Sequence, residues 1–257
     1  MTAEFQSARD LLRWAHADIE DFDAVCQETF GGEPHTMFRE VDADSQSEQL
    51  KLIVPPLPDK LRKLATNALW EIKHAADHAV RAACDLVGGG EPGKVYFPVG
   101  SHPANLAERV QNNPRYPAPL HELLEGFQIY PRGNSYPGGN DEFCALSKLA
   151  NSTKHAVSLV AMPEVHLSSI RMEGKVGGAR FYPRPIKSGE FEYTLGTLPH
   201  DPDVKMDIEV TMFVAFGDVP ALVGIPAGDV LQEFGRQVDL AVCLLESEAF
   251  RLRGGMG

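Results

Sequence analysis

The sequence predicts an α+β protein: a core of long helices, an antiparallel sheet packed on one side, and a C-terminal helix. Four stretches, 5–30, 59–87, 140–160 and 229–250, place apolar residues at helical spacing. By contrast, 204–216 alternates apolar and polar residues with period two, the signature of a half-buried antiparallel strand. Glycine and proline cluster between these stretches and mark their ends. A chain of 257 residues can remove roughly 70 to 75% of its unfolded surface from water, so no disulfide or metal is needed as a staple. One domain is expected, with a helical part over about 1–162, a strand region over about 163–217 and the closing helix over about 229–250.

In the first helix Leu11, Leu12, Ala15, Ile19, Phe22 and Val25 recur at helical spacing, and Gly31-Gly32 stops it. Extended runs at 36–41 and 49–54, joined by the polar 42–48 segment, read as a hairpin. Pro55, Pro56 and Pro58 make a stiff connector; Asp59 then opens what reads as the longest helix, ended by Gly88-Gly89-Gly90. The proline-rich 97–136 stretch carries two short helices, one entered near Ser101 and one over 120–127. Asn140 or Asp141 caps the next long helix. Beyond Pro163, 165–172 and 191–195 are the expected partners of 204–216. In the last helix Val230, Phe234, Val238, Ala241 and Leu245 share the face that returns to the core.

The formal net charge of −12 and a pI near 5.2 repel a phosphate backbone at long range, which disfavours sequence-independent nucleic-acid binding unless a local basic patch overrides it. Glu4, Arg9, Asp10 and Arg13 interrupt the first twenty residues, so these lack the apolar run of a signal peptide, and no later stretch is long enough to cross a bilayer. The expected location is cytoplasmic, with no membrane partner. Cys26, Cys84, Cys144 and Cys243 are widely spaced, with no C-x-x-C pair, and read as reduced, buried small hydrophobes.

On the 59–87 helix, Leu61, Ala68, Ile72, Ala75, Ala79 and Leu86 gather on one side, and Asn67, Glu71, His74, His78, Arg81 and Asp85 on the other. This is the pattern of a surface helix with its wet face outward. Trp70, beside Lys73 and Asp77, argues against full solvation of that face, because an indole there would leave a large apolar area in water; something is expected to cover it. The 140–160 helix sets Ser147, Asn151, Lys154 and Ser158 along the edge of its own apolar side, with His155 one turn from Asn151. If the two helices are neighbours, their polar edges meet near Trp70, with Asn151 as an amide clamp and Lys154 as a counter-charge for Asp77 or Glu71. The same cluster also fits a buried hydrogen-bond network that fixes helix register.

The order of Arg13, His16, Asp18, Ile19, Glu20 and Phe22, then Pro55, Pro56, Pro58 and Leu61, then Ala75, Asp77 and His78, resembles a family of uncharacterised bacterial proteins. Phe97-Pro98, Gln128 and Tyr130, and Leu146, Leu149, Asn151, Lys154 and His155 continue the resemblance over most of the chain. It implies the element map above and marks the Asp-His and Asn-x-x-Lys-His motifs. Where that family's long helix reads N-L-R-S-A-L-D-H, this chain has Glu71, Ile72, Lys73, His74, Ala75, Ala76, Asp77 and His78. The spacing of Lys73 and His78 is similar to the R-x4-6-H motif of HEPN-type ribonucleases, in which arginine and histidine from two protomers act on RNA without metal. Lysine keeps the charge and loses the planar fork that suits a phosphodiester.

Two functions therefore stand side by side. One is an HEPN-like, metal-independent ribonuclease or its relic, with Lys73, Asp77, His78, Asn151, Lys154 and His155 as the candidate catalytic set and RNA as partner. The other is a non-catalytic interaction or scaffold protein, with a protein partner or a homodimer, in which the cluster is structural. A third reading is a zinc hydrolase built on His74-x-x-Asp77-His78, whose two histidines stand at i and i+4 as in H-x-x-E-H enzymes. It lacks a third ligand fixed by spacing, so no metal or cofactor is assigned.

Overall fold

Three long amphipathic helices, α1 (Gln6–Phe30), α2 (Asp59–Leu86) and α6 (Ala227–Gly255), pack against one another. The structure is a computed structural model and describes residues 3–31, 36–42, 47–88, 94–155, 161–173, 178–189, 191–200, 205–217, 219 and 222–255. Leu12, Ala15, Ile19 and Phe22 of α1, Leu61, Ala68, Ile72 and Ala79 of α2, and Phe234, Val238, Val242 and Leu245 of α6 are buried in the shared core. Between α2 and α6 come α3 (Pro103–Gln111), α4 (His121–Gly126) and α5 (Asp141–His155), and α5 lies against α2. The condition for their polar edges to meet, that the two helices be neighbours, is thus satisfied. At 29 residues against 28, α6 and not α2 is the longest helix. It runs past residue 250 because Arg251 and Arg253 are good helix formers and their charges suit a helix C-terminus.

The remaining elements form two antiparallel sheets rather than one. The hairpin strands β1 (Thr36–Asp42) and β2 (Ser47–Ile53) join β4 (Arg180–Lys187) and β5 (Glu192–Pro199) in the order β1-β2-β5-β4, while β3 (Ala161–Glu173) pairs only with β6 (Lys205–Phe216). The expected pairing of 191–195 with 204–216 is therefore corrected. Four consecutive residues of β5, Tyr193 to Gly196, are buried, as suits a central strand. Gly196 is needed there, since a Cβ would lie 2.5 Å from the Arg180 carbonyl oxygen. By contrast β6 alternates exposed and half-buried residues until Val214, Ala215 and Phe216 enter the core, as suits a two-stranded ribbon.

Polar side chains of α1 spaced by heptads lie along α6. Arg9 pairs with Glu246, His16 rests against Gly235, and Asp23 against Gly228 while accepting from Gln232 at 2.8 Å. The two glycines let the side chains reach the α6 backbone. The cysteines depart from expectation: Cys84 and Cys144 are buried, Cys26 is half-buried and Cys243 is exposed.

Candidate functional site

The polar arc of α2 begins at Lys73 and Asp77, which face α5, and ends at Glu71 and His78, which face α1. Lys73 and Asp77 are 9% and 8% exposed. Lys73 Nζ donates to Asp77 Oδ1 at 2.5 Å, and the same oxygen accepts the backbone N–H of Phe97 at 2.7 Å. The carboxylate thus fastens the chain after α2 back onto the helix. Phe97 itself is buried, stacked on Phe143 at 4.8 Å and tilted against Phe127 at 5.3 Å. Anchored in this way, the 96–101 segment forms one wall of a cleft of about 750 Å³.

Lys73 and Asp77 reach this cleft from α2, Ser147, Lys148 and Asn151 from α5, and Arg109 from α3. Asn113, Ser101, Tyr96 and Tyr116 add further polar lining. Among the described residues three basic side chains thus face one carboxylate, and that carboxylate is already engaged. Tyr116 donates its hydroxyl to the Tyr96 carbonyl at 2.7 Å, and burial pushes its ionisation up to about 12, so it remains a donor. Cys144, also in the lining, is pushed up by burial to about 11 and stays a thiol at neutral pH, which removes it as a nucleophile.

Of the residues singled out by sequence, Lys73, Asp77 and Asn151 share the cleft. Asp77 takes a counter-charge from Lys73, one turn away on its own helix. The side chains of Lys154 and His155 lie outside the described residues. His78 stands apart from the cleft: it is exposed, with Nδ1 2.8 Å from Ser7 Oγ at the start of α1. His74 is exposed beside Trp70, with ring centroids 6.3 Å apart. The Trp70 indole is 38% exposed. Among the described residues no group of three or more His, Cys, Asp or Glu side chains is placed to hold a metal.

Sequence reasoning missed Arg109, Lys148, Tyr96 and Tyr116. Lys148 had a signal, since it precedes Asn151 by three residues and adjoins Ser147. The others lie in the proline-rich stretch, where no periodicity marks the inward side.

At the α1 end of the arc, Glu71 Oε2 is buried without a hydrogen-bond partner among the described residues. Burial, and then the nearby Asp18 carboxylate, raise the Glu71 carboxyl to about 7. Its folded value lies above the unfolded one, so the folded state binds the extra proton, and stability falls as pH rises from about 4.5 through about 7. Glu71→Gln is therefore expected to raise the thermal midpoint at pH 8 and to leave it nearly unchanged at pH 5. An equal effect at both pH values would show that the carboxyl is hydrated.

Comparison with protein families, with curated proteins and with solved structures finds no match to this chain.

Proposed function

We propose that the chain binds a small phosphate-bearing ligand in the cleft between α2, α5 and the 96–101 segment. The supporting observation is the charge balance: among the described lining residues Lys73, Arg109 and Lys148 stand against one acid, Asp77, in a chain whose net charge is −12. The global charge repels a long polyanion, whereas a small ligand inside the cleft feels mainly the local cations. The volume lies within the range of roughly 300 to 1,000 Å³ usual for such ligands. Tyr96, 51% exposed on the rim, offers an aromatic face to a planar ring. A nucleoside monophosphate combines these requirements, with Asn113 and Asn151 as amides to orient it. Asp77 acts in this reading as the clamp that keeps Lys73 and the Phe97 backbone in place.

Titration calorimetry with AMP and with inorganic phosphate tests the proposal. A Kd of about 1 mM or tighter is expected for AMP. Arg109→Ala and Lys148→Ala should each weaken it about tenfold, with unchanged thermal midpoints because both side chains are exposed. No heat from either probe up to about 10 mM would remove this reading.

The scaffold reading is favoured by one observation, the double engagement of Asp77 Oδ1 by Lys73 and Phe97, since an acid so occupied serves architecture. The HEPN-like reading places a histidine beside the lysine as its acid–base group. His78 instead meets Ser7, and the side chain of His155 lies outside the described residues.

A further inference from the structure

The outward face of α6 has an apolar centre that its own chain leaves uncovered. Leu240 is 52% exposed and Leu244 is 42% exposed; Cys243 beside them is exposed as well. A two-pronged ion pair flanks this centre on each side. Arg236 donates through Nε and Nη2 to Glu233 at 2.7 and 2.6 Å, and Arg251 donates through the same atoms to Glu248 at 2.7 and 2.5 Å. At 100° per residue, these two leucines and four charged side chains occupy one arc about 120° wide.

Their order is inverted about the level of Val242. Leu240 and Leu244 lie two residues to either side, Arg236 and Glu248 six, and Glu233 and Arg251 nine. Equal distances thus carry like apolar groups near the centre and opposite charges further out. An isologous two-fold contact requires this, because residue i of one copy meets j of the other and j meets i.

We infer that α6 is a self-association surface, pairing antiparallel with α6 of a second copy about a two-fold axis at the level of Val242. Leu240 then packs on Leu244 of the second copy, twice over. Glu233 faces the second copy's Arg251 at each end of the seam, so each two-pronged pair keeps its own partner and joins the second copy's pair. Isolated exposed pairs contribute little, but pairs joined into a four-charge network beside a covered apolar centre contribute more. The two Cys243 side chains come to lie about 3 Å apart along the helix direction.

Sedimentation of the full chain at about 50 µM, above a micromolar Kd, should give twice the mass of 28.1 kDa. Leu240→Glu with Leu244→Glu should give a monomer with an unchanged circular dichroism spectrum, since both positions are exposed in the single chain. Arg251→Glu places two glutamates opposite each other and should weaken the dimer at least about tenfold; adding Glu233→Arg to the same chain should restore it. A short bismaleimide should link two wild-type chains, and Cys243→Ser should abolish the link. A monomeric wild type overturns the inference, as does a dimer indifferent to the charge reversal. Should the leucine variant lose its fold, the charge reversal and its rescue decide.

Discussion

Asp77→Ala is expected to lower the stability of the fold by about 3 to 5 kcal/mol, because it strands a buried charge. Lys73 is only 9% exposed and pairs with Asp77 at 2.5 Å. The same change removes the acceptor of the Phe97 N–H, a second loss of about 1 to 3 kcal/mol that overlaps the first. At this chain length each kcal/mol moves the midpoint by about 2 to 4 °C, so a drop of about 6 to 20 °C should appear on heating. Asp77→Asn keeps an acceptor for Phe97 and should fall between wild type and alanine. Lys73→Met combined with Asp77→Leu removes both charges and should recover part of the loss. Denaturant unfolding measures all three. An Asp77→Ala loss below about 1 kcal/mol would mean that water already screens the pair.

Phe97→Ala should cost a comparable amount, about 3 to 5 kcal/mol, from lost burial and the cavity that remains. Its ring is 3% exposed and sits between Phe143 and Phe127, so it ties the cleft wall to α5 and to the end of α4. The two substitutions act on one fastening: Asp77 holds the backbone of residue 97, and the aromatic stack holds its side chain. Their double mutant should therefore be less destabilised than the sum of the singles, by about 0.5 to 3 kcal/mol. Strict additivity would show that the wall is held elsewhere. AMP binding should weaken in both variants, because the wall at 96–101 loses its anchor.

The helices were legible because each carries its whole pattern locally. Leu12, Ala15, Ile19 and Phe22 are buried at the spacing that predicts them, and the hairpin formed where two short extended runs flank a polar link. Strand β4 was not legible: Pro183 and Pro185 interrupt it, and five of its eight residues are exposed, so no period-two signal survives. Nor could β5 be assigned its neighbours, since the packing of β2 onto it joins residues far apart in sequence. The candidate site divides in the same way. Lys73, Asp77 and Asn151 stand beside apolar stripes and could be read as edges, and the i, i+4 spacing of Lys73 and Asp77 already suits an ion pair on one helix. Arg109 and Tyr96 enter the cleft only because the Phe97 anchor folds an aperiodic connector back over α2.

The contact between α1 and α6 joins Arg9 to Glu246 across 237 positions, and this separation sets an order of events during synthesis. At about 5 to 20 residues per second, α1 leaves the ribosome roughly 10 to 50 seconds before the helix that covers it. During most of that interval Leu12, Ile19 and Phe22, buried in the finished core, have α2 as their main shelter. A nascent chain of this design spends most of its translation with one side of its first helices open, and so depends on holding factors or on rapid pairing of α1 with α2 to escape aggregation.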